Sequence, residues 1–491
     1  MNTNTPDIGV ETPIAPRRPR WGRRILLSLL LIVGLAIAAY YTWGWINAAA
    51  FRREVAALTA AGEPMTMPSL RPPAVPADQN GYVQIREAMA LMPAREPENN
   101  PLQRSREEPR LPLFDDERVA LTEIVEANRK ALTALAPIVD KPAVVADHVK
   151  FQSPGLMILL PDLNGLRSLA RAAQRAAILD FDAGRHDAAL EQLRLIEPVA
   201  RGAASHTSLV GMLVATGSRS LEADALIQMT PALRIGGDGG ASAAQVKQTI
   251  ARLLDDSTLR RELLMGMKSE RTFQVDTMEC LADGRLKPSD LQSPADQPGD
   301  WLLRHLARPV LWSNARYSLS YMNAIIATLD AGDWPSADAR LSPLQREMEA
   351  QTSSVRYVFA RMLLPALSRA VLSHYRGIGD RRLAGTALAV RHYQVDHAGQ
   401  FPAKLADLVP AYLSSVPMDP LAQGKPLNYR ADGEEPAIWS VGEDGRDDGG
   451  STAPADDAAK RPPGNRWQRK DAVVFLKPQP RDRSVIEPES P

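Results

Sequence analysis

The chain is poor in residues that carry redox or disulfide chemistry. It has one cysteine, Cys280, in 491 residues. No internal disulfide can form, so cysteine usage is compatible with an oxidising compartment without pointing to one. Cys280 lies in a helix-like run, VDTMECLADG, and reads as a small buried residue rather than a nucleophile. A surplus of one charge is lacking too, since 58 Lys and Arg balance 58 Asp and Glu. That removes the general electrostatic case for a nucleic-acid partner. Aromatics are only 5% of the chain. The seven histidines form no HExxH or other metal-ligand spacing. His392 and His397 are five apart, which is not one helix face. No GxSxG, SxxK or Cys–His signature occurs. The Gly-rich run from Ile235 to Gly240 follows no strand pattern and lacks the Lys-Ser/Thr of a phosphate loop, so it reads as a flexible link. The sequence names no reaction.

What is present begins with an apolar run, ILLSLLLIVGLAIAAYYTWGWI, from Ile25 to Ile46. About 22 helical residues span about 33 Å, enough to cross a hydrocarbon core of about 30 Å. Arg17, Arg18, Arg20, Arg23 and Arg24 precede it, and Tyr40, Tyr41, Trp43 and Trp45 close it. Arginines stay on the cytoplasmic side and aromatic rings settle at the headgroups, so the remainder is expected outside the cytoplasm. A cleaved secretory signal would have a shorter apolar region, and a lipoprotein would need a cysteine just past it. The expectation is a single-pass signal-anchor in a bacterial inner membrane. It touches lipid through residues 25–46 and places its bulk in the periplasm.

The remainder divides by composition. Residues 1–24 read as a basic cytoplasmic tail, and 25–46 as the membrane helix. Residues 47–114 read as a membrane-proximal helix, FRREVAALTAA, followed by Pro-rich linker. From 115 to 379 the pattern predicts an extracytoplasmic helical domain. Its helices fall near 115–138, 162–182, 187–203, 207–229, 242–255, 257–281, 300–330 and 341–376. The turns Ala183-Gly184-Arg185-His186-Asp187-Ala188-Ala189 and Ala331-Gly332-Asp333-Trp334-Pro335-Ser336-Ala337 share the turn grammar of tetratricopeptide-like helical hairpins, without a fixed repeat period. From Asp380 the pattern changes to a helix Arg381–His397, a short helix Ala403–Leu408, and three strand-sized runs at 427–430, 437–441 and 472–475. A long polar loop at 442–470 separates the last two. Residues 380–477 therefore read as a small α+β module with a short antiparallel sheet, and 478–491 as a disordered tail.

The pieces ALAVRHYQVDHAGQFPAKLADLVPAYLSSVPMDPLAQGKPLNYR, IWSVGEDGRDDGG and DAVVF, in that order, resemble the globular end of the type II secretion major pseudopilin. The likeness covers about Arg381 to Leu476, and the whole chain resembles membrane-anchored bacterial envelope proteins without an assigned activity. In that family the closing loop binds calcium. The resemblance implies Asp444, Asp447, Asp448 and Asp471 as its ligands here, a hard cation wanting six to eight oxygens. The N-terminal leader departs from the family, because Gly22 is followed by Arg23-Arg24-Ile25-Leu26-Leu27 with no Glu. The module is accordingly read as borrowed, not as a pilin subunit.

These readings combine into a mainly α protein with an N-terminal transmembrane helix, an irregular helical-hairpin domain and a C-terminal α+β module. The expected role is an envelope scaffold or interaction protein with protein partners, associated with a type II secretion or type IV pilus-like assembly. The alternative is a hydrolase-like envelope enzyme whose site lies in the helical domain, since catalytic groups need be close only in space.

Overall fold

Helix α1 (Trp21–Ala60) is unbroken over 40 residues. At 1.5 Å per residue it is about 60 Å long. It fuses the apolar run to the FRREVAALTAA stretch and ends before Gly62, whose φ of +80° suits glycine alone. Up to Thr42 its side chains are exposed almost without exception, and the helix is long and apolar enough to cross a membrane. From Gly44 a buried stripe begins, Gly44, Asn47, Ala48 and Phe51, at the i, i+3, i+4, i+7 spacing of one helix face. The computed structural model describes residues 21–93, 109–155, 158, 162–287, 290, 300–329, 331–364, 367–455 and 465–481. Residues 1–20 of the basic tail and most of the C-terminal tail lie outside the described residues.

Twelve further helices are described. They are α2 (Tyr82–Leu91), α3 (Asp115–Leu135), α4 (Asp162–Asp182), α5 (His186–Arg194), α6 (Ile196–Ala204) and α7 (Leu209–Met229). Then come α8 (Ala243–Leu254), α9 (Leu259–Asp283), α10 (Asp300–Thr328), α11 (Trp334–Thr352), α12 (Val358–Leu363) and α13 (Leu367–Asp396). The buried half of α1 packs on α10, α10 on α9, and α9 on α7. Helix α7 is central and also meets α4, α6 and α13. Helices α2, α3 and α4 pack together at one side.

Three short strands, β1 (Asn428–Arg430), β2 (Ala437–Ser440) and β3 (Ala472–Phe475), form an antiparallel sheet in the order β1-β2-β3. Tyr429 pairs with Ile438, and Ile438 with Val474. All four β2 residues are buried, as expected of a central strand packed on a helix, here α13.

The stretch after α1 is strapped down. Glu63 takes Lys268 and Arg271 at 2.7 Å each, Thr272 donates to the Pro64 carbonyl at 2.6 Å, and Met65, Met67 and Leu70 are buried. A Pro-rich composition suggested a spacer, but its first half, through Leu70, is seated on the body.

Several boundaries differ from expectation. The helix anticipated over 187–203 breaks at Leu195 into α5 and α6, because the Pro198 ring would clash with the Arg194 carbonyl. The helix anticipated at 341–376 is three helices, and the one anticipated from Arg381 is the second half of α13. Gly377-Ile378-Gly379-Asp380 looked like a break between domains. It is mid-helix, and its glycines are needed for close approach: a Cβ on Gly379 would lie 2.6 Å from the Trp467 ring, and one on Gly377 2.8 Å from Thr216. One apolar core draws on residues from Met67 to Leu476, so helices and sheet share it, and a second cluster joins α1, α9 and α10 around Phe51, Cys280 and Trp312. The Gly-rich run is likewise no loose link. The His186 amide donates to the Gly239 carbonyl at 2.7 Å, and the Arg234 amide to His186 Nδ1 at 2.8 Å.

The core also holds a balanced charge network. Arg219, buried on α7, forks onto Glu197 (2.9 and 3.0 Å) and Glu262 (2.6 and 2.9 Å). Arg381 joins Glu197 at 3.3 Å and donates to the Arg252 carbonyl at 2.6 Å, while Arg252 pairs with the buried Glu222. Buried charges persist only when paired in this way.

Candidate functional site

A groove of about 800 Å³ lies between α7, α13, β3 and the segments 465–469 and 479–481. Its floor is made by α7 (Leu213, Thr216, Gly217, Leu221) and β3 (Val473, Phe475), and the remainder is polar. Five arginines line it, Arg110, Arg376, Arg466, Arg469 and Arg481, against two carboxylates, Asp224 and Asp380.

These arginines have different duties. Arg466 bridges Asp380 and Asp224 at 2.7 Å each, and Trp467 Nε1 donates to Asp380 at 3.1 Å. Burial pushes the Asp380 carboxyl up, while the Arg466 cation opposes the shift. This cluster pins the 465–469 segment onto the two helices. Arg481 grips Glu117 through both nitrogens, one at 2.8 Å, and lies 4.6 Å over the Phe114 ring. Arg376 meets Glu443.

Arg469 differs from these. Its Nε is buried with no hydrogen-bond partner, and among the described residues its guanidinium has no carboxylate partner. Burial lowers its pKa, and the nearby Arg110 and Arg466 cations lower it further. Among the described residues it is a half-buried cation near two others and without a carboxylate, and arginine forks favour carboxylates and phosphates. None of these arginines was singled out by sequence reasoning. They come from the linker, α13, the polar loop and the tail, and only folding brings them together. Within the stretch 442–470, residues 465–469 pack on the body with Trp467 buried, and Arg481 reaches back to Glu117 on α3.

The four aspartates proposed for calcium lie close to the sheet. Asp471, fully buried, accepts the amides of Asp448 (3.3 Å), Gly450 (2.9 Å) and Ser451 (2.8 Å). Asp447 accepts Trp439 Nε1 at 2.9 Å and the Gly449 amide at 3.0 Å. Asp444, exposed, caps its own turn through the Arg446 amide at 3.0 Å, and Asp448 is exposed. The structure brings Asp447, Asp448 and Asp471 to one loop closure. There Asp447 Oδ1 and both Asp471 oxygens accept N–H donors. Among the described residues no three His, Cys, Asp or Glu side chains converge as metal ligands. A buried carboxylate that sequence reasoning passed over, Asp419, does similar work. It accepts Leu421 N, Ser440 Oγ and Val441 N at 2.9, 2.7 and 3.0 Å and holds the DPLAQG turn against β2.

A second titratable cluster joins α2, α4 and α6. Tyr82 Oη lies 2.9 Å from Asp162 and 3.2 Å from His206 Nε2, and His148 Nε2 lies 2.7 Å from the same Asp162 oxygen. Burial lowers the pKa of His206, whose Nδ1 meets the Gly202 carbonyl at 3.1 Å. Cys280 is buried with its Sγ 3.2 Å from Ser153 Oγ, and burial pushes the thiol up and away from the reactive thiolate.

Compared with protein-family models, curated proteins and solved structures, the chain matches none of them.

Proposed function

We propose that this chain is a membrane-anchored binding protein whose arginine groove takes an acidic segment of a protein partner. The observation that carries this reading is Arg469. It is a half-buried guanidinium without a carboxylate partner among the described residues, and it lines a groove in which Arg376, Arg466 and Arg481 are already held by Glu443, by Asp380 and Asp224, and by Glu117. A groove of about 800 Å³ is large enough for several peptide residues. Its apolar floor supplies contact area, and arginine forks favour carboxylates.

The anchor sets where the partner is met. By the arginine-before-aromatic order around residues 25–46, the body stands on the non-cytoplasmic face of a bacterial inner membrane. The partner is then an envelope protein. The resemblance of residues 381–476 to a pseudopilin head makes a secretion or pilus-like assembly the first place to look.

The test is titration of the detergent-solubilised full chain with fluorescent Glu/Asp-rich peptides, beside lysine-rich controls. Acidic peptides are expected to bind, more weakly as salt rises, and Arg469→Glu with Arg110→Glu should weaken binding tenfold or more at unchanged Tm. Equal binding of acidic and basic peptides, or an unaffected double variant, would remove the groove from consideration.

A further inference from the structure

The way α10 lies against α1 has a consequence for the membrane surface. The two helices run parallel. Gly44 meets Pro309, where a Cβ on the glycine would lie 2.5 Å from the proline Cβ. Farther along, Phe51 packs on Trp312 at 5.7 Å and Glu54 accepts from Asn323 at 2.8 Å. Followed the other way, α10 descends toward the apolar run. The Tyr40 hydroxyl, at the start of the aromatic belt, donates to the Leu306 carbonyl at 2.5 Å. Helix α10 begins at Asp300, so its backbone continues toward the hydrocarbon by about 9 Å beyond Leu306.

We infer that α10 is a second membrane contact: its N-terminal turns lie in the lipid interface beside α1, with Arg308 and Arg356 against anionic phospholipid headgroups. The inference rests on α1 crossing the bilayer. If α1 does so with Tyr40, Tyr41, Trp43 and Trp45 at the headgroups, anything at the level of Tyr40 is at the headgroups too. Leu306 is 54% exposed and Trp45 69%, an apolar edge at that level that the described residues leave uncovered. The cations stand at the same height. Arg356 lies 4.5 Å over the Trp43 ring, and Arg308, exposed, immediately precedes the proline seated on Gly44. Arginine with indole at a bilayer surface places charge at the phosphates and apolar area below them.

The experiment uses the full chain in lipid nanodiscs containing phosphatidylglycerol. Single spin labels are placed through Leu30→Cys, Leu306→Cys and Val210→Cys. The unsubstituted chain, whose own Cys280 is fully buried, is the labelling blank. The readout is the ratio of label collisions with oxygen to those with a water-soluble nickel chelate. The label at 306 is expected to give a ratio severalfold above that at 210 and close to that at 30. A label at 306 that matches 210 while 30 is lipid-like overturns the inference and leaves the anchor intact. If the label at 30 also matches 210, α1 does not span and the inference falls with it. Arg308→Glu with Arg356→Glu should lower the ratio at 306 severalfold in these discs but not in pure phosphatidylcholine discs. An unchanged ratio would remove the arginines' part.

Discussion

At the scale of single residues, the strongest constraints are buried carboxylates held by specific donors. Glu197 is the clearest. Burial alone would raise its pKa, but Arg219 and then Arg381 overcome this and hold it at about 2. A carboxylate depressed on folding contributes stability that is present above the unfolded value of 4.5 and is lost as pH falls through about 2. The shift corresponds to about 3 kcal/mol. Glu222, in the same network, moves the opposite way, because burial raises it, and it takes up a proton first. Glu197→Gln should therefore cost about 3–5 kcal/mol at pH 7, leaving Arg219 and Arg381 short of a counter-charge. Its deficit relative to the unsubstituted chain should shrink between pH 4.5 and 2. Chemical denaturation at several pH values reads both effects, and a deficit constant with pH would refute the assignment. The sequence held no sign of this network. Its members sit on five helices, and each looks like an ordinary charge on a polar face.

At the scale of elements, legibility followed local cause. Helix α4 is where its periodicity put it, 162–182, and the strand at 472–475 also agrees. Apolar spacing in those stretches answers to a single buried face. Where a neighbour distant in sequence decides, reading failed. Gly377 and Gly379 resemble a helix stop, yet they are gaps cut for Thr216 and Trp467. Gly379→Ala should cost about 1–3 kcal/mol through overpacking against the indole, and adding Trp467→Leu should recover part of it. Thermal melts of the two variants decide the matter. Strict additivity would mean that the two residues do not meet.

At the scale of the molecule, one core unites what composition divided. The shift in grammar at Asp380 is real as sequence, since strands follow it, but α13 carries its apolar face through that point. Asp380 itself is bound to Arg466 and Trp467. A fragment comprising residues 380–491 would begin inside a helix and expose Leu383, Ala387 and Val390, all fully buried in the whole chain. It is expected to lack a cooperative thermal transition, whereas a cooperative melt of that fragment would show it to be an independent unit. The candidate groove was invisible for the same reason, because its walls come from regions that only the finished core brings together.

Helix α1 leaves the body without a hinge. It runs unbroken from Trp21 to Ala60, its buried half is wedged against α10 from the Gly44–Pro309 contact onward, and the Glu63 clamp follows its end. Such a joint behaves as a shaft fixed in a hub. Torque or tilt applied at one end arrives at the other. A helix whose apolar stretch exceeds the local bilayer thickness responds by leaning. With α1 spanning a bilayer, as proposed above, a lean of the shaft would tip the whole body, and the attitude of the groove toward the membrane would follow the thickness of that bilayer.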